Sequence, residues 1–514
     1  MEPRLRAVCD LLVPGVREGS GLHEYDGEIA DLSPAGVDTA LARLRVGSPL
    51  PAAHDEAHLT AFENGLRVAY GEYAAHRRNP LVHLDNLDLA CYDRPYAPEA
   101  ERAEARSQHL RRWPDAVDMA IASLDAVSAP VAESLLEATK GLAAGLDADA
   151  GPDEAAALAA HARLVAHVAH AAETGDPDPS VGGRTLARLM GAPEGLEVDL
   201  DDIADRADAE RDRLRAMLDE ACRALDPTAT TPELVASLQR DHPDAADVLD
   251  EARALTAEVL AFSSERRLAP YLDGVCEVGP APESRRWAVA MMSWSAPGEP
   301  DGPSWYHVTP PDASWPAEDV ESWLEVFSRT TLPAVTVHEV APGHFAHGRA
   351  LRRASTPVRR LLHSMAFAEG WAHYVEEVCV EEGFRAGDPR YAIGVCVEAL
   401  VRVTRLACAL GLHTGAMTVP EAATRFTEDA FLSGQAALSE ARRGTFDPTY
   451  GCYTWGKLAI LELREEARAR WGTGFGLPRF HTAMLALGSP PLGLLGAALD
   501  EVVPFDTPAS RAGS

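Results

Sequence analysis

The sequence predicts a mainly α-helical protein, a large single body of many helices with a small β-hairpin or short sheet next to a cleft. Two observations support this fold class. Apolar residues recur at three- and four-residue spacing between charged faces over most of the chain, and the links between these stretches are short. A chain of 514 residues can bury a substantial core. We expect one continuous fold, in which 1–285 forms a helical wall of the cleft and 286–514 carries the candidate site.

The amphipathic stretches of the first region predict helices at 114–146, 152–172, 198–225 and 232–262. The links DPDPSVGG at 176–183 and DPTATTPEL at 226–234 are rich in Pro, Gly and Asp, which favour turns. In the second link, Thr231 precedes Pro232. This pair predicts a helix cap followed by a proline in the first helical turn.

The pattern changes near residue 285. WAVAMMSW at 287–294 and SWYHVTP at 304–310 predict two short strands, joined by the turn-forming segment APGEPDG. A helix is predicted at 317–329, and the rest of the chain is again helical in pattern.

The charge balance and the cysteines limit the classes of function. The 47 basic and 79 acidic residues give a net charge of −32, which repels phosphate backbones, so we expect no nucleic-acid partner. No segment approaches about 18 uninterrupted apolar residues and the first residues lack a signal-peptide core, so we expect no membrane association. The eight cysteines are scattered without a C-x-x-C pair, which is typical of free thiols in a reducing cytoplasm. The oligomeric state is left open.

The segment VTVHEVAPGHFAH at 335–347 is the first candidate site. His338 and Glu339 stand side by side, as in the H-E-x-x-H signature of zinc proteases, but Pro342 replaces the second histidine and the next histidine is His344. In a straight helix, residues six apart are rotated by about 240°, so these two histidines could not share one metal ion.

A bend after the His-Glu pair would remove this difficulty. Pro342 lacks an N–H and its ring clashes with the carbonyl four residues earlier, while Gly343 permits a sharp turn. We therefore expect the helix that begins near Pro333 to end or kink within a residue or two of Ala341. His344 should then lie on the following turn and face the first histidine.

A third metal ligand is predicted in MAFAEGWAHYVEE at 365–377, where Glu369 and His373 are four apart on one helix face. Two histidines and a glutamate from a neighbouring helix form the His₂Glu set of a catalytic zinc, with one position open for water. Glu339, next to a ligand, could then take a proton from that water. The predicted cofactor is Zn²⁺, with another divalent metal as the alternative.

These motifs resemble a known family. HEVAPGH resembles the HExxPGHH motif of the bacterial domain of unknown function 885 family, whose members are similar to glutamate-zincin metallopeptidases, and EGWAHY resembles that family's EGWALY segment. The likeness spans nearly the whole chain, through YDGEIADLSPAGVDTALARL at 25–44, RVTRLACALGLH at 402–413, YTWGKLAILELREEA at 453–467 and FGLPRFHTAMLALGSPPL at 475–492.

The resemblance implies roles for particular residues. It implies His338, His344 and Glu369 as metal ligands and Glu339 as the general base, in a cleft that is also lined by His413, Arg405 and Tyr453. The chain departs from the family pattern at Phe345, which replaces a second histidine, and around Ala409–Leu410, where an aspartate is usual. Both departures concern substrate preference, and all three implied metal ligands are still present.

Further roles are predicted for the polar residues of the cleft. We expect Tyr453 or His413 to donate a hydrogen bond to a developing oxyanion, and Arg402 or Arg405 to hold a substrate carboxylate through a two-pronged pair. His373 is expected to contact substrate or to support the ligands.

Other histidines and acids are weaker candidates. His347 is an alternative ligand because it closely follows His344. The group His161, His167 and His170 lacks an evident carboxylate partner, so a second metal site there is not favoured. Glu376 and Glu377 are expected on a solvated face or just outside the ligands.

The function predicted from these residues is that of a metallohydrolase acting on a peptide or a small amide-like substrate. Two alternatives stay open: a metal-dependent biosynthetic enzyme that performs another reaction on a small metabolite, and a metal-free binding protein with a relic site. The chain has no G-x-S-x-G elbow and no phosphate-binding glycine loop, so serine hydrolysis and nucleotide cofactors have no support.

Overall fold

The computed structural model describes residues 1–500 except 283, 284, 287, 288, 313 and 433. Over these residues the chain contains twenty-four α-helices and one three-stranded sheet. The predicted mainly α-helical fold with a small β element is therefore confirmed.

In the described part, fourteen helices precede the sheet: α1 (Pro3–Cys9), α2 (Val13–Glu18), α3 (Pro34–Arg43), α4 (Ala53–Leu66), α5 (Ala75–Arg78), α6 (Leu81–Leu87), α7 (Glu99–Arg111), α8 (Trp113–Ser123), α9 (Ala129–Gly141), α10 (Pro152–Thr174), α11 (Gly183–Glu194), α12 (Leu200–Leu225), α13 (Thr231–Gln239) and α14 (Val248–Arg266). The strands are β1 (Cys276–Gly279), β2 (Ala290–Ser293) and β3 (Ser304–Val308). Ten helices follow: α15 (Ala317–Glu325), α16 (Leu332–Glu339), α17 (His344–Leu351), α18 (Pro357–Leu361), α19 (Met365–Glu381), α20 (Arg390–Thr414), α21 (Val419–Ala430), α22 (Gly434–Phe446), α23 (Cys452–Trp471) and α24 (Leu477–Ala486).

Two of the predicted helices are each divided in the structure. The stretch 114–146 forms α8 and α9, because Pro130 in the first turn of α9 starts a new helix. The stretch 232–262 forms α13 and α14. The cap of α13 is Thr230 rather than Thr231, since Thr230 forms a capping box with the glutamate three residues later.

The predicted hairpin is confirmed, and the sheet has one strand more. β2 and β3 pair antiparallel, with Met292 opposite Tyr306, while β1 adds to the other edge of β3 in parallel, giving the order β1-β3-β2. The first two residues of the predicted strand 287–294 lie outside the described residues. β1 precedes residue 285, so the sheet crosses the boundary between the two predicted regions.

The largest hydrophobic core also runs across that boundary. Its buried residues extend from Leu186 on α11 to Ala498, and they include the apolar faces of α19, α20 and α23. Two smaller cores lie under the first helices and under α6 to α10. Burying one large apolar side chain of this kind contributes about 1.5–3 kcal/mol, so the helical body supplies a rigid support for the candidate site.

A pair of glycines lets α19 and α23 approach closely. A Cβ on Gly456 would lie 1.8 Å from the carbonyl oxygen of Ala366, and a Cβ on Gly370 would lie 2.5 Å from the carbonyl carbon of Gly456. Any larger residue would push the two helices apart. This crossing brings the first turn of α23 next to the turn of α19 that carries the predicted ligand Glu369.

The eight cysteines are all free in the structure. Among the described helices, none combines the length and the apolar character that a membrane span needs.

Candidate metal centre

The HEVAPGH segment forms two helices joined by a tight turn. α16 begins at Leu332 and ends at Glu339, so the break predicted near Ala341 is confirmed. His344 differs slightly from expectation, because it is the first residue of α17 and not part of the turn.

Gly343 is required by the geometry of this turn. A Cβ at this position would lie 1.9 Å from the carbonyl oxygen of His338 and 2.4 Å from that of Val337. No side chain fits at those distances. The indole Nε1 of Trp371, on α19, donates a hydrogen bond of 3.0 Å to the carbonyl of Pro342. The turn is thus fastened to the helix that carries Glu369.

The structure brings the three predicted ligands together. The ring centroids of His338 and His344 are 4.8 Å apart, with the ring planes nearly perpendicular. The Nε2 atoms of the two histidines lie 3.3 and 3.4 Å from the same oxygen, Oε2 of Glu369. One nitrogen or oxygen from each residue lies within 4.8 Å of the others, and no second group of three or more such side chains occurs in the described part of the chain.

The donor set fits a divalent transition metal. Two imidazole nitrogens and one carboxylate are the ligands of catalytic zinc sites, and they leave a coordination position open. Glu339 is buried beside them, and its Oε2 has no hydrogen-bond partner among the described residues. A buried polar atom without a partner is rare in folded proteins and points to a bound ion, water or substrate at this place.

Glu376 orients the first ligand. Its Oε1 accepts a 2.7 Å hydrogen bond from Nδ1 of His338, and its Oε2 accepts a 2.8 Å bond from Arg402. Nδ1 of the imidazole therefore carries a proton, and Nε2 is the atom that faces Glu369. A carboxylate behind a histidine ligand fixes the ring orientation and makes the nitrogen more basic.

Burial and charge shift the protonation equilibria of the cluster. Burial and Arg402 lower the pKa of His338, but hydrogen bonds to Glu369 and Glu376 outweigh them and raise it to about 9. Burial opposes ionisation of Glu369, yet the two histidines hold its pKa well below the usual range. Burial raises the pKa of Glu339, although the neighbouring histidines act in the opposite direction.

Tyr453 stands beside this cluster. Its ring centroid lies 6.4 Å from that of His338, with the two planes 22° apart, and the Arg405 guanidinium lies 5.4 Å from its centroid on the ring face. Burial raises the pKa of Tyr453, and the negative charge of the nearby Glu369 raises it further. The phenol is therefore a neutral hydrogen-bond donor at neutral pH.

The two arginines predicted to bind substrate each pair with carboxylates of the protein. Arg402 is nearly buried and pairs with Glu376 at 2.8 Å and with Glu398 at 3.5 Å. Arg405 makes two 2.7 Å hydrogen bonds to Glu440. Both guanidinium groups have carboxylate partners within the protein, and their contact with a substrate carboxylate stays a prediction.

The other two predicted site histidines are His373, whose Nδ1 lies 3.8 Å from Oε2 of Glu376, and His413. His373 follows Glu369 by one turn, about 6 Å further along α19, and its ring is buried in the core next to Lys457. Burial, with a contribution from that lysine, lowers the pKa of His373 to about 3, so the ring is neutral. His413 lies three turns beyond Arg402 on α20, about 16 Å along the axis, and donates to the carbonyl of Gly444 at 2.7 Å.

The remaining candidate histidines have structural contacts. His347 is fully buried, and its Nε2 donates to the carbonyl of Gly488 at 3.2 Å. In the second histidine group, His161 and His167 donate to the backbone carbonyls of Thr139 and Leu124. Among the described residues, neither set belongs to a metal-ligating group.

A cavity of about 710 Å³ lies beside the cluster. Its lining does not include the three ligands, but it includes Ala368 and Cys452, which directly precede Glu369 and Tyr453. It also includes Trp294, whose ring centroid is 6.4 Å from that of His344. The candidate metal centre therefore stands at the border of this cavity, where a bound molecule would meet it.

Of the two positions predicted for Glu376, a solvated face or just outside the ligands, the structure shows the second. Its seven-residue spacing from Glu369 places both on one helix face. Trp371 gave no comparable signal, since its hydrogen bond to the turn depends on how two helices pack.

Residues 14–499 match the family described as a bacterial protein of unknown function, DUF885. The chain belongs to this family. The family membership expected from HEVAPGH and EGWAHY is thus confirmed, whereas the likeness to metallopeptidases is not addressed by this match.

Two solved structures are similar to this DUF885 protein. One is described as a candidate lipoprotein of unknown function from Shewanella oneidensis, with a TM-score of 0.75, 19% sequence identity and 97% of each chain covered. The other is a candidate lipoprotein from Colwellia psychrerythraea, with a TM-score of 0.76, 19% identity, and 97% of this chain and 99% of that chain covered. At this identity the likeness establishes the fold alone. No protein of curated function matches the chain.

Proposed function

We propose that this DUF885 protein is a zinc-dependent hydrolase that cleaves a peptide or a small amide-like substrate. The observation that carries the proposal is the convergence of His338, His344 and Glu369 within 4.8 Å, beside a buried Glu339. These three residues would hold the ion. Zn²⁺ suits two imidazoles and a carboxylate best, and another divalent transition metal could use the same set.

When bound, a divalent ion supplies a Lewis acid that polarises a carbonyl group and lowers the pKa of water. The protein would supply the proton transfers. Glu339 would accept a proton from the attacking water and pass it to the leaving amine, and the raised pKa of its carboxyl group suits a base that must later act as an acid.

Tyr453 would stabilise the charge that develops on the substrate carbonyl oxygen. Its hydroxyl is a neutral donor, and the ring is held between His338 and Arg405. A donor fixed in place before the reaction stabilises a developing oxyanion without a cost of reorganisation.

The size and lining of the cavity favour a small substrate. Its volume of about 710 Å³ is in the range of small-molecule sites, and Met291, Met292 and Trp455 are among the apolar side chains in its wall. A short peptide or an amide with an apolar body suits this space better than a segment of a folded protein. No nucleic-acid or membrane partner is part of the proposal.

A cytoplasmic location is also part of the proposal, and the eight free cysteines support it. The two similar solved structures are described as candidate lipoproteins, so fractionation of the producing cells followed by immunodetection is the appropriate test.

The function is tested with full-length protein in a zinc-loaded and a chelator-stripped form. Mass spectrometry would follow mixtures of short peptides and acylated amines, and we expect cleavage that requires zinc and is lost in Glu339→Gln. Zinc binding without cleavage of any amide, but with conversion of another small molecule, would favour the biosynthetic alternative. Failure to retain a metal would favour a binding protein.

A further inference from the structure

The cavity beside the candidate metal centre has another wall, which the proposed chemistry does not use. This wall is formed by α2, α6 and the segments that carry Cys91, Arg94 and Arg285. It is rich in ionisable groups, whereas the wall near the ligand cluster is mostly apolar. A charged wall inside an otherwise apolar cavity is a feature that selects for a charged group on the ligand.

Most of these ionisable groups neutralise each other. Arg285 binds Glu18 with hydrogen bonds of 2.6 and 2.7 Å and binds Asp88 with bonds of 2.9 and 2.6 Å. Arg94 pairs with Glu299. These groups therefore present little uncompensated charge to the cavity.

Two further ionisable groups of the lining also have protein partners. Arg17 is 2% exposed, and its guanidinium packs on the ring of Tyr92. The carboxyl group of Glu194 accepts from the Ser364 hydroxyl and from the backbone N–H of Leu492.

Asp85 is the exception. Its carboxyl group has no hydrogen bond and no ion pair among the described residues, although Asp88 and Glu18 stand near it. Its side chain is exposed, and it lines the large cavity and also a smaller one of about 140 Å³. A carboxylate without a protein partner on the wall of a largely apolar cavity is free to pair with a cationic group of a ligand.

We propose that Asp85 is a specificity-determining residue that receives a protonated amine of the ligand. The cavity would then select a molecule with an apolar body and a cationic end, such as a short peptide with a free amino group. The preference for a cationic ligand is argued from the cavity alone. Only the statement that this ligand is the substrate of a hydrolytic reaction rests on the proposed function.

The protonation of Asp85 gives the proposal a pH dependence. Burial, reinforced by Asp88 and Glu18 and opposed by Arg285, raises the pKa of Asp85 to about 7. Tyr70 also faces this carboxyl group and is neutral at this pH. The carboxylate that pairs with an amine therefore predominates above pH 7, so amine affinity should rise between pH 6 and pH 8.

The test compares two probes of equal shape, 4-phenylbutylamine and 4-phenyl-1-butanol, by calorimetric titration of the full-length protein at pH 8. Zinc-loaded and zinc-free protein are both used, because an amine could bind the metal directly. The variants are Asp85→Asn and Asp85→Glu. Asp118→Asn serves as the matched control, since Asp118 makes an exposed ion pair with Arg163.

We expect the wild type, Asp85→Glu and the control to prefer the amine by about tenfold or more, as a charge-assisted hydrogen bond provides. Asp85→Asn should bind the two probes equally. It should also melt at a higher temperature than the wild type at pH 8 without ligand, because it removes the repulsion between Asp85 and the nearby Asp88 and Glu18.

Three outcomes would overturn the proposal: no preference in the wild type, a preference that survives Asp85→Asn, or no binding of either probe. None of these measurements involves turnover. A failure of the hydrolase proposal is therefore distinguishable from a failure of this one.

Discussion

Glu376 lies directly behind His338, and its Oε1 accepts the Nδ1 hydrogen bond of that imidazole at 2.7 Å. The glutamate is fully buried and is itself held by Arg402 at 2.8 Å. Because Arg402 holds Glu376 and Glu376 holds Nδ1 of His338, Nε2 is the imidazole atom directed at Glu369. The orientation of the first ligand is thus set before any ion arrives.

This arrangement predicts that Glu376→Gln weakens zinc binding by about 10–100-fold, the usual effect of losing a partner behind a histidine ligand. The amide can still accept the hydrogen bond, but it lacks the negative charge that makes the imidazole a stronger donor to the metal. Competition with a chromophoric chelator would measure the affinity. Glu381→Gln is the matched control, since it lies on the same helix and loses a charge paired with Arg464 instead. Equal affinities in the two variants would contradict the prediction.

Zinc binding is expected to release a proton from His338 at pH 7.5. The pKa of this imidazole in the metal-free protein is raised to about 9, so below pH 9 both ring nitrogens carry hydrogen. A metal ligand must give up its proton, and zinc affinity should therefore increase with pH up to about 9. Calorimetry in buffers of different ionisation enthalpy would detect the release. A binding enthalpy that does not depend on the buffer would show that the nitrogen is already free.

Glu339→Gln should retain zinc but lose about 10²–10⁴-fold in turnover of any substrate that the wild type cleaves. The amide has nearly the same shape and cannot accept the proton. Metal content by elemental analysis and turnover by mass spectrometry are measured on the same preparation. If metal and activity fell in proportion, Glu339 would be a ligand and its assignment as a base would be wrong.

Gly343→Ala should disrupt zinc binding in a protein that still folds. The new Cβ would lie 1.9 Å from the carbonyl oxygen of His338, so the turn must open and His344 must move away from its partner. Most of the core lies on other helices and is left intact, although Val340, Ala341 and Phe345 next to the turn also belong to it. Gly387→Ala is the control, because a Cβ at that position meets nothing within 4 Å. Circular dichroism would report the fold, and a variant that binds zinc normally would show that the turn tolerates the methyl group.

The approach of His338 to His344 could be predicted because it depends on local chemistry. Pro342 and Gly343 restrict the backbone between the two histidines, and the helix ends at Glu339 for that reason. The helical spacing of EGWAHY places Glu369 on a defined face. Both features depend on neighbours in sequence, whereas the contact of Glu369 with the two histidines depends on how α19 packs against α16 and α17.

The partners of the two predicted substrate-binding arginines depend on packing between distant helices. Arg402 donates to Glu376 and Arg405 donates to Glu440, and the sequence did not predict either contact. No spacing rule indicates which carboxylate will be adjacent after folding. The strand β1 was missed for a related reason, since four residues give too little periodicity and the strand is defined by its pairing with β3.

Tyr453→Phe should lower kcat by about 10²–10³-fold with little effect on KM, the pattern expected when a donor acts mainly on the transition state. Phenylalanine keeps the ring beside His338 and under Arg405, so it removes the hydroxyl and little else. Zinc affinity should not change, because the hydroxyl is not one of the converging ligands. Steady-state kinetics on a cleaved substrate would separate kcat from KM. A rise in KM with unchanged kcat would place the hydroxyl in substrate binding and exclude it from oxyanion stabilisation.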